Sequence, residues 1–341
     1  MKHFRVALMG FGNVGKAFAK LLLYKQEELS NRNKLKFSIT GIATAKHGIA
    51  INPTGIDLSR ALNANDISSL SRQPTLHNFH DFIRRCGANV LFENTPVNYG
   101  NGQPGIDHIR VALEAGMHVI TANKGPVMYA YQKLQELAEA KGRKFYFEST
   151  VMDGTPIFSL FRDTLPGANL ISIHGVLNST TNLILSRMEE GESFEDAVSF
   201  CQKIGISETD PSGDIDGYDA AIKLAILISV LMDHPMRLSD VDRKGIRDIG
   251  PAEIEEARMD GKRWKLICRA KRINGSVSAR VFPEKVGPES QLYNLEGTSS
   301  IVQFETDVLG ILTIIESNPG PQTTAYGLLA DLINIATHDA Y

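Results

Sequence analysis

The chain has 341 residues, enough for two domains of typical size or one large α/β domain. Its composition, 43% hydrophobic and 22% charged with a net charge of -3, excludes disordered, collagen-like and coiled-coil proteins and argues against a nucleic-acid partner. Three widely separated cysteines favour a reducing compartment over a disulfide framework.

Two features of the sequence concern its location. The first predicted strand begins so close to the N-terminus that a signal peptide does not fit, so we expect a cytoplasmic protein. The longest apolar run, 220–232, contains Lys223 and is shorter than the roughly 20 residues that cross a bilayer. We therefore expect no membrane segment.

The N-terminal half alternates strand-like and helix-like segments. A strand over 4–9 is followed by a glycine-rich turn and a helix over 14–23. Further strands are predicted at 37–43, 90–92, 118–121 and 144–148, and a helix ends at Gly116. This alternation is typical of an α/β protein with a Rossmann-type, doubly wound parallel sheet.

The pattern changes after residue 148, where we predict a second domain to begin. Helices are predicted at 156–165, 194–204 and 218–232, and strands at 276–282, 300–305 and 310–315. The last two strands are expected to form a hairpin across 307–309. A closing helix over 324–336 could return to either domain.

The first predicted turn has the pattern G-x-G-x-x-G. Gly10 permits a tight turn, Gly12 lets the backbone approach a pyrophosphate, and Gly15 allows the helix to pack closely on the sheet. The helix N-terminus adds partial positive charge. We therefore predict a dinucleotide site at this turn, which also includes Asn13 and Val14.

The acidic residue that would hold an adenosine ribose hydroxyl is missing after the second predicted strand. The segment 42–47 places Lys46 there instead. A cation beside the ribose favours a 2′-phosphate by charge pairing, so Lys46 predicts NADP, with NAD as the second choice. The alternative is that Lys46 is a solvated loop lysine.

Polar loops follow two later strands. Thr95 and Pro96 come after the strand at 90–92, and Asn123 and Lys124 after the strand at 118–121. Because the carboxyl ends of parallel strands face the cofactor crevice, we expect these residues to contact the dinucleotide. Lys124 would then point at the nicotinamide, unless it is an ordinary solvated loop lysine.

Five acids between Glu208 and Asp219 precede a single lysine, Lys223. Asp219 and Lys223 are four residues apart, so on a helix they lie on one face and meet. Lys223 is otherwise surrounded by alanine and leucine, where an unpaired ammonium is costly, so it requires a partner. The alternative to a catalytic role is a structural salt bridge with a snorkelling lysine stem.

The chain resembles homoserine dehydrogenases nearly from end to end. The resemblance rests on the glycine-rich turn and on the segments 121–125, 148–151, 175–182, 186–188, 208–223 and 324–332. It implies NAD(P)-dependent interconversion of L-homoserine and L-aspartate 4-semialdehyde, a step of threonine and methionine biosynthesis, by a homodimer. It also implies that the closing helix rejoins a dinucleotide-binding domain of 1–148 plus 317–341. The segment 149–316 is then an α+β substrate-binding and dimerisation domain.

This reaction explains the two lysines. Reducing an aldehyde with hydride leaves an alkoxide, so the site needs a proton donor and a cation at that oxygen. Lys223 is the predicted general acid and base, and Lys124 is a second electrophilic group.

The resemblance also assigns substrate contacts. Glu208 and Asp219 are expected to bind the substrate's α-ammonium, Asp214 to orient a lysine, and Thr180 to offer a hydroxyl to the substrate. The remaining predicted cofactor contacts are Gly205 and Gly320.

In relatives a V-G-G-G segment and the glutamate before it bind a monovalent cation. Here the segment 151–154 reads Val-Met-Asp-Gly, so Met152 and Asp153 penalise any positive φ that the loop requires. The predicted Na⁺ ligands are Glu148, Val151, Asp153 and Thr155. The alternative for Asp153 is to cap a helix beginning near residue 156.

Two further departures from the family leave room for a shifted substrate. Segment 317–322 has two prolines where relatives have Gly-Ala-Gly, and Ser179 replaces a common glycine. We expect no threonine-sensing regulatory domain after Tyr341. The alternatives are a dehydrogenase of the same architecture for another small alcohol or aldehyde, and a catalytically silent NADP-binding protein.

Overall fold

The computed structural model describes residues 1–74, 76 and 78–338. The chain divides into two compact units, Met1–Ile157 with the segment from Gly320 onward, and Phe158–Pro319. None of the helices formed by the described residues combines the length and apolar character that crossing a bilayer requires.

A six-stranded sheet forms the centre of the first unit. Its strands are β1 Lys2–Met9, β2 Leu35–Ala43, β3 Ile49–Ile51, β4 Val90–Glu93, β5 His118–Thr121 and β6 Phe145–Tyr146. They lie in the order β3-β2-β1-β4-β5-β6, and every neighbouring pair is parallel except β2 with β3. The strand order reverses beside β1, which is where Rossmann-type sheets bind their ligands. The predicted doubly wound parallel sheet is confirmed.

The helices that connect these strands follow the expected alternation. They are α1 Asn13–Asn31, α2 Leu58–Asn63, α3 Phe79–Arg85, α4 Gly105–Glu114 and α5 Lys124–Ala140. α1 runs past its predicted end at residue 23 and buries Phe18, Leu22 and Leu29. The ring of Phe18 lies 4.4 Å from that of Phe92 on β4, so this helix packs on the sheet through large apolar side chains.

The second unit contains a different sheet. Its strands are β7 Leu170–Val176, β8 Asp242–Arg243, β9 Arg263–Ile273, β10 Ser276–Val286, β11 Ser300–Thr306 and β12 Gly310–Glu316. They lie in the order β12-β11-β7-β9-β10-β8, and all pairs are antiparallel except β8 with β10. The predicted hairpin of β11 and β12 is present.

Five helices accompany this sheet. They are α6 Ser179–Glu189, α7 Phe194–Lys203, α8 Ser212–Ile215, α9 Tyr218–Leu231 and α10 Pro251–Met259. α9 is apolar almost all round and packs against β9 and β10. A helix of that kind is a buried core helix, so each polar residue on it needs a specific partner.

Two sequence predictions in the linking region were wrong in extent. The predicted strand at 144–148 ends at Tyr146 and is followed by a 3₁₀ turn at Glu148–Thr150. The predicted helix at 156–165 is helical only over 158–164 and closes in a π turn at Leu160–Thr164. The hydroxyl of Thr164 donates to the Leu160 carbonyl, and the proline at 166 disfavours helix at the residue before it.

The closing helix α11, Pro321–His338, belongs to the first unit and packs against α1. Its buried side chains, Ala325, Leu328, Leu329, Leu332 and Ile335, join the core beneath the sheet. The hydroxyl of Ser149 donates to the Thr324 carbonyl at 2.8 Å, and the Glu148 N–H donates to Asp331 Oδ2 at 2.9 Å. These bonds attach residues after 148 to this helix, so the first unit extends to Ile157, beyond the boundary predicted at 148.

Candidate active site

The glycine-rich turn between β1 and α1 has the geometry that its sequence predicts. Gly10 has φ +90°, and a Cβ there would collide with the Asn94 carbonyl. A Cβ on Gly15 would lie 2.6 Å from the Gly10 carbonyl oxygen. A Cβ on Gly12 would have no neighbour within 4 Å, so the turn presents open backbone on that side. A pyrophosphate needs this kind of close approach.

The residues around the turn fit an anionic dinucleotide. Gly12 and Asn13 are exposed at the N-terminus of α1, Val14 is half-buried, and the first turn of the helix has no acidic residue. Both polar atoms of the Asn94 side chain are buried without a hydrogen-bond partner in the described structure. A buried amide with no partner points to a ligand that supplies one.

The turn after β2 contains Lys46, which is exposed and forms no ion pair with the described residues. The carboxylate of Asp66 also lies near this turn, a contact that the sequence analysis did not predict. Asp66 Oδ1 lies 2.8 Å from the position of a Cβ on Gly48, and the Ile67 N–H bonds the His47 carbonyl. Hydrogen bonds from Ser68 hold the pKa of Asp66 below its usual value. Both a cation and a carboxylate therefore lie where the ribose is expected.

A buried polar network lies at the carboxyl ends of β4 and β5. The carboxylate of Glu93, 0% exposed, accepts from the hydroxyls of Thr95 and Thr121 and lies 3.2 Å from His108 Nδ1. Asn123 Nδ2 reaches the Thr95 hydroxyl at 3.4 Å. Neither Glu93 nor His108 was singled out from the sequence, because burial gives them their role.

This network supports the start of α5. Asn123 caps the helix by accepting from the Gly125 N–H, and Lys124 is its half-buried first residue. A cation at a helix N-terminus is disfavoured by the helix dipole by about 0.3–1 kcal/mol, so this position is unusual for a structural lysine. Pro96 is exposed beside Thr95.

Lys223 and Asp219 lie on α9 as the sequence predicts. The helix begins after Gly217, whose φ of +77° turns the chain out of α8. Lys223 Nζ lies 2.9 Å from Asp219 Oδ2 and donates to the Leu177 carbonyl at 2.8 Å. The side chains of Lys223 and Asp219 are 14% and 10% exposed, so the pair is largely shielded from water.

A second carboxylate joins this pair through Asn178, a residue that the sequence analysis did not assign to the site. Asn178 Nδ2 donates to Asp214 Oδ1 at 2.7 Å and to Asp219 Oδ2 at 3.0 Å. Burial raises the pKa of Asp214 above its usual value, the neighbouring Asp219 carboxylate raises it further, and Asn178 and Thr180 lower it. We call Asp214, Asp219, Lys223 and Asn178 the acid-lysine cluster.

The rest of the acidic block does not join the acid-lysine cluster. Glu208 is exposed, and its carboxylate forms no hydrogen bond with described residues. Gly205 is also exposed in the same loop, with φ +76°. Asp210 accepts from the Ser212 N–H at 3.0 Å, and Asp216 pairs with Arg247.

The predicted cation ligands lie in the turn that packs on α11. Glu148 is 2% exposed and its Oε1 accepts from the Ile157 N–H at 2.6 Å, and Val151 is fully buried. Met152 and Asp153 have φ of 53° and 48°, so this turn keeps left-handed conformations without glycine.

The carboxylate of Asp153 makes contacts that the sequence analysis did not predict. Its Oδ2 accepts from the Gly320 N–H at 2.8 Å and from the Thr323 hydroxyl at 2.9 Å, at the start of α11. The alternative prediction was that Asp153 caps a helix beginning near residue 156, whereas it caps α11. The Thr155 N–H donates to the Met152 carbonyl. No group of three or more His, Cys, Asp or Glu side chains within the described ranges could hold a metal ion.

Comparison with known proteins agrees with this geometry. The profile of the homoserine dehydrogenase NAD binding domain matches residues 10–148, and the homoserine dehydrogenase profile matches residues 156–333. The chain belongs to the homoserine dehydrogenase family.

Relatives match nearly all of this chain. The NAD(+)-dependent homoserine dehydrogenase of Pseudomonas canavaninivorans is 34% identical over 98% of this chain and 97% of its own. The homoserine dehydrogenase of Methanocaldococcus jannaschii is 36% identical over 97% of this chain and 98% of its own. The crystal structure of a homoserine dehydrogenase from Thiobacillus denitrificans, 28% identical, superposes with a TM-score of 0.85 over 100% of this chain and 75% of that one. The chain is therefore an NAD(P)-dependent oxidoreductase of this family.

Proposed function

We propose that the protein interconverts L-homoserine and L-aspartate 4-semialdehyde, with Lys223 as the general acid and base. A bound nicotinamide accepts or supplies the hydride at the reacting carbon. As a neutral amine, Lys223 takes the hydroxyl proton when the alcohol becomes an aldehyde; as the resulting ammonium, it returns that proton to the oxygen in reduction. The observation that carries this proposal is the ammonium of Lys223, held by Asp219 and the Leu177 carbonyl on an otherwise apolar helix.

The charges of the acid-lysine cluster support an amino-acid substrate. Two carboxylates, Asp214 and Asp219, lie in one hydrogen-bonded cluster with Lys223. Carboxylates form strong charge-assisted hydrogen bonds with ammonium groups, so the cluster suits the α-ammonium of the substrate. We assign Glu208 a second contact with that ammonium, and Thr180 a hydroxyl contact with the substrate.

One assay tests both points. The purified protein is assayed with L-homoserine or with 4-hydroxybutyrate, which lacks the α-ammonium. Each substrate is tested with NADP and with NAD, and formation of the reduced nicotinamide is followed by absorbance. We expect turnover of L-homoserine and little turnover of 4-hydroxybutyrate. Turnover of another alcohol but not of L-homoserine would favour a same-fold dehydrogenase, and no turnover with either cofactor across pH would favour a silent cofactor-binding protein.

NADP is the proposed preferred cofactor, because Lys46 can pair with a 2′-phosphate. Asp66 opposes this preference through like-charge repulsion at the same turn. We expect the NADP-to-NAD ratio of kcat/KM to fall in Lys46→Ala and to rise in Asp66→Asn, which keeps an acceptor for Ser68. Equal ratios in the wild type and Lys46→Ala would contradict the assignment. The other proposed cofactor contacts are Gly10, Gly12, Asn13, Val14, Gly15, Thr95, Pro96, Asn123, Gly205 and Gly320.

Lys124 is proposed to assist as a second cation for the reacting oxygen. We expect Lys124→Ala to lower kcat, by less than Lys223→Ala does, because an electrostatic contact is lost while the proton donor remains.

A monovalent cation is proposed at the turn on α11, held by the Glu148 carboxylate and the main-chain carbonyls of Val151 and Thr155. Asp153 is left out because its carboxylate caps α11. NaCl should raise Tm more than choline chloride at equal ionic strength, since only Na⁺ fits an oxygen-lined site. Equal melting temperatures would contradict the cation site.

A homodimer is proposed through β12, an edge strand with exposed apolar side chains. Ile311 and Ile315 are 67% and 59% exposed on one face of this strand. Exposed apolar edge strands pair with other chains unless they are covered. Sedimentation should show a dimer that dissociates in Ile311→Lys; a wild-type monomer would contradict it.

A further inference from the structure

Asn178 makes more bonds than its position in the chain requires. It precedes α6, and its Oδ1 caps the helix by accepting from the Thr181 N–H at 2.8 Å. Serine, threonine and aspartate cap helices about as well as asparagine. Only the amide group of Asn178 supplies the two N–H donors that reach Asp214 and Asp219. Capping alone therefore does not explain asparagine here.

Groups of several kinds surround these two carboxylates. Lys223 pairs with Asp219, and Thr180 on α6 lowers the pKa of Asp214. Two thiols face the cluster from other elements, Cys268 on β9 and Cys201 on α7. Burial raises their pKa to about 12 and about 11, so both stay neutral thiols at physiological pH. The Asn178 amide is thus the group that bonds both acids at once.

We propose that Asn178 is a positioning residue for the reaction, whose side-chain amide holds Asp214 and Asp219 together as carboxylates ready for the ammonium of an amino-acid substrate. The inference rests on the proposed function, because it assumes that these acids bind that ammonium. An amide NH2 group that donates to two carboxylates offsets their mutual repulsion and fixes the direction of each. Without it, protonation of Asp214 relieves the repulsion.

This role has a consequence for pH that a helix cap lacks. Burial and Asp219 raise the pKa of Asp214, whereas the hydrogen bond from Asn178 lowers it. Removing the donor therefore raises the pKa of Asp214 further. The acid limb of kcat/KM for L-homoserine should then move to higher pH, because a protonated Asp214 no longer attracts the ammonium.

Asn178→Ser separates the two roles of the residue. A serine keeps the cap on α6 but loses the bridging amide. We expect kcat/KM for L-homoserine to fall roughly 10- to 100-fold, the loss typical of one hydrogen bond to a charged group. The KM for the nicotinamide cofactor and the melting temperature should stay close to those of the wild type. Asn178→Asp, which adds a third carboxylate, should give a larger loss.

Asn78→Ser is the matched control. Asn78 caps α3 through Oδ1 and donates from Nδ2 to the Asp81 carboxylate at 2.9 Å, on an exposed surface. The same substitution there removes the same kinds of bonds away from the acid-lysine cluster. It should leave kcat/KM and the acid limb unchanged.

A second measurement keeps the test independent of turnover. Carbon-detected NMR titration of aspartate carboxyls, with Asp214 assigned by Asp214→Asn, follows its pKa directly. A higher pKa in Asn178→Ser supports the inference even if L-homoserine proves to be the wrong substrate. An unchanged Asp214 pKa would overturn it and leave Asn178 as a helix cap, whether or not the wild type turns over L-homoserine. So would an unchanged acid limb and kcat/KM in an active enzyme.

Discussion

Two lysines of the second unit are largely shielded from water, yet their surroundings differ. Lys223 Nζ lies 2.9 Å from Asp219 Oδ2, with Asp214 bound to the same amide. Lys265, 0% exposed on β9, donates to Asn182 Oδ1 at 3.0 Å and to the Leu295 carbonyl, both of which are neutral.

Burial lowers the pKa of Lys265 to about 8. A strongly lowered pKa in a buried lysine therefore does not by itself identify the reacting group in this protein. The difference lies in the carboxylates: two belong to the cluster of Lys223, and none accepts a hydrogen bond from Lys265. Clustered titratable groups indicate a functional site, whereas an ammonium bonded to neutral oxygens indicates a structural role.

One helix contributes to both environments. Asn178 and Asn182 are one turn apart at the start of α6, so they lie on the same side of it. Asn178 bonds the two acids, and Asn182 bonds Lys265 as well as the Gly297 carbonyl. Of the two asparagines in this short segment, Asn178 therefore belongs to the candidate site and Asn182 to the structural core.

The largest expected effect comes from removing each lysine in turn. Lys223→Met should lower kcat by roughly 10²- to 10⁴-fold, the range for loss of a general acid and base, with little change in the KM for the cofactor. Lys265→Met, the matched control, should keep most of its turnover because Lys265 bonds only structural oxygens. Steady-state kinetics on both variants checks this, and similar losses would end the distinction between the two lysines.

A second effect concerns stability at alkaline pH. The pKa of Lys265 is lowered from 10.5 to about 8 in the folded state, so between these values the unfolded chain binds more protons. Stability due to this group therefore rises as pH rises from 8 to above 10, by up to roughly 3 kcal/mol.

Urea unfolding at pH 7.5 and pH 10 measures this pH-dependent contribution of Lys265 to stability. Between these two pH values, the free energy of unfolding should increase more for the wild type than for Lys265→Met. Parallel changes in both proteins would show that Lys265 titrates normally.

The sequence predicted the parts of this site that depend on local spacing. The bond between Asp219 and Lys223 follows from the helical period, and the Gly10–Gly15 turn from its place between a strand and a helix. Asn178 reaches Asp214 and Asp219 from 36 and 41 residues away, a pairing that no local pattern contains.

Other polar residues owe their contacts to the folded core. The Gly320 N–H bonds the Asp153 carboxylate across 167 residues, and Glu93 at the end of β4 meets His108 because α4 packs against that strand. A polar residue's partner is predictable when the chain brings the pair together within one helical turn. It is unpredictable when only the packed fold does so.

The smallest expected effect tests whether the acid-lysine cluster is held at a cost to stability. The pKa of Asp214 is raised in the folded state, so the wild type loses stability as pH rises from about 4, the usual pKa of aspartate, through the raised value. Asp214→Asn is neutral and keeps an acceptor for Asn178. It should therefore gain roughly 0.5–2 kcal/mol over the wild type at pH 8 while losing activity, and the gain should shrink towards pH 4.

Asp210→Asn is a control for which the opposite pH dependence is expected. Hydrogen bonds from Ser212 lower the pKa of Asp210, so the contribution of this carboxylate to stability increases with pH. Denaturation at three pH values compares the two variants. If Asp214→Asn were less stable than the wild type at pH 8, the second carboxylate would contribute to folding, and the presence of two carboxylates beside Lys223 would no longer distinguish it from Lys265.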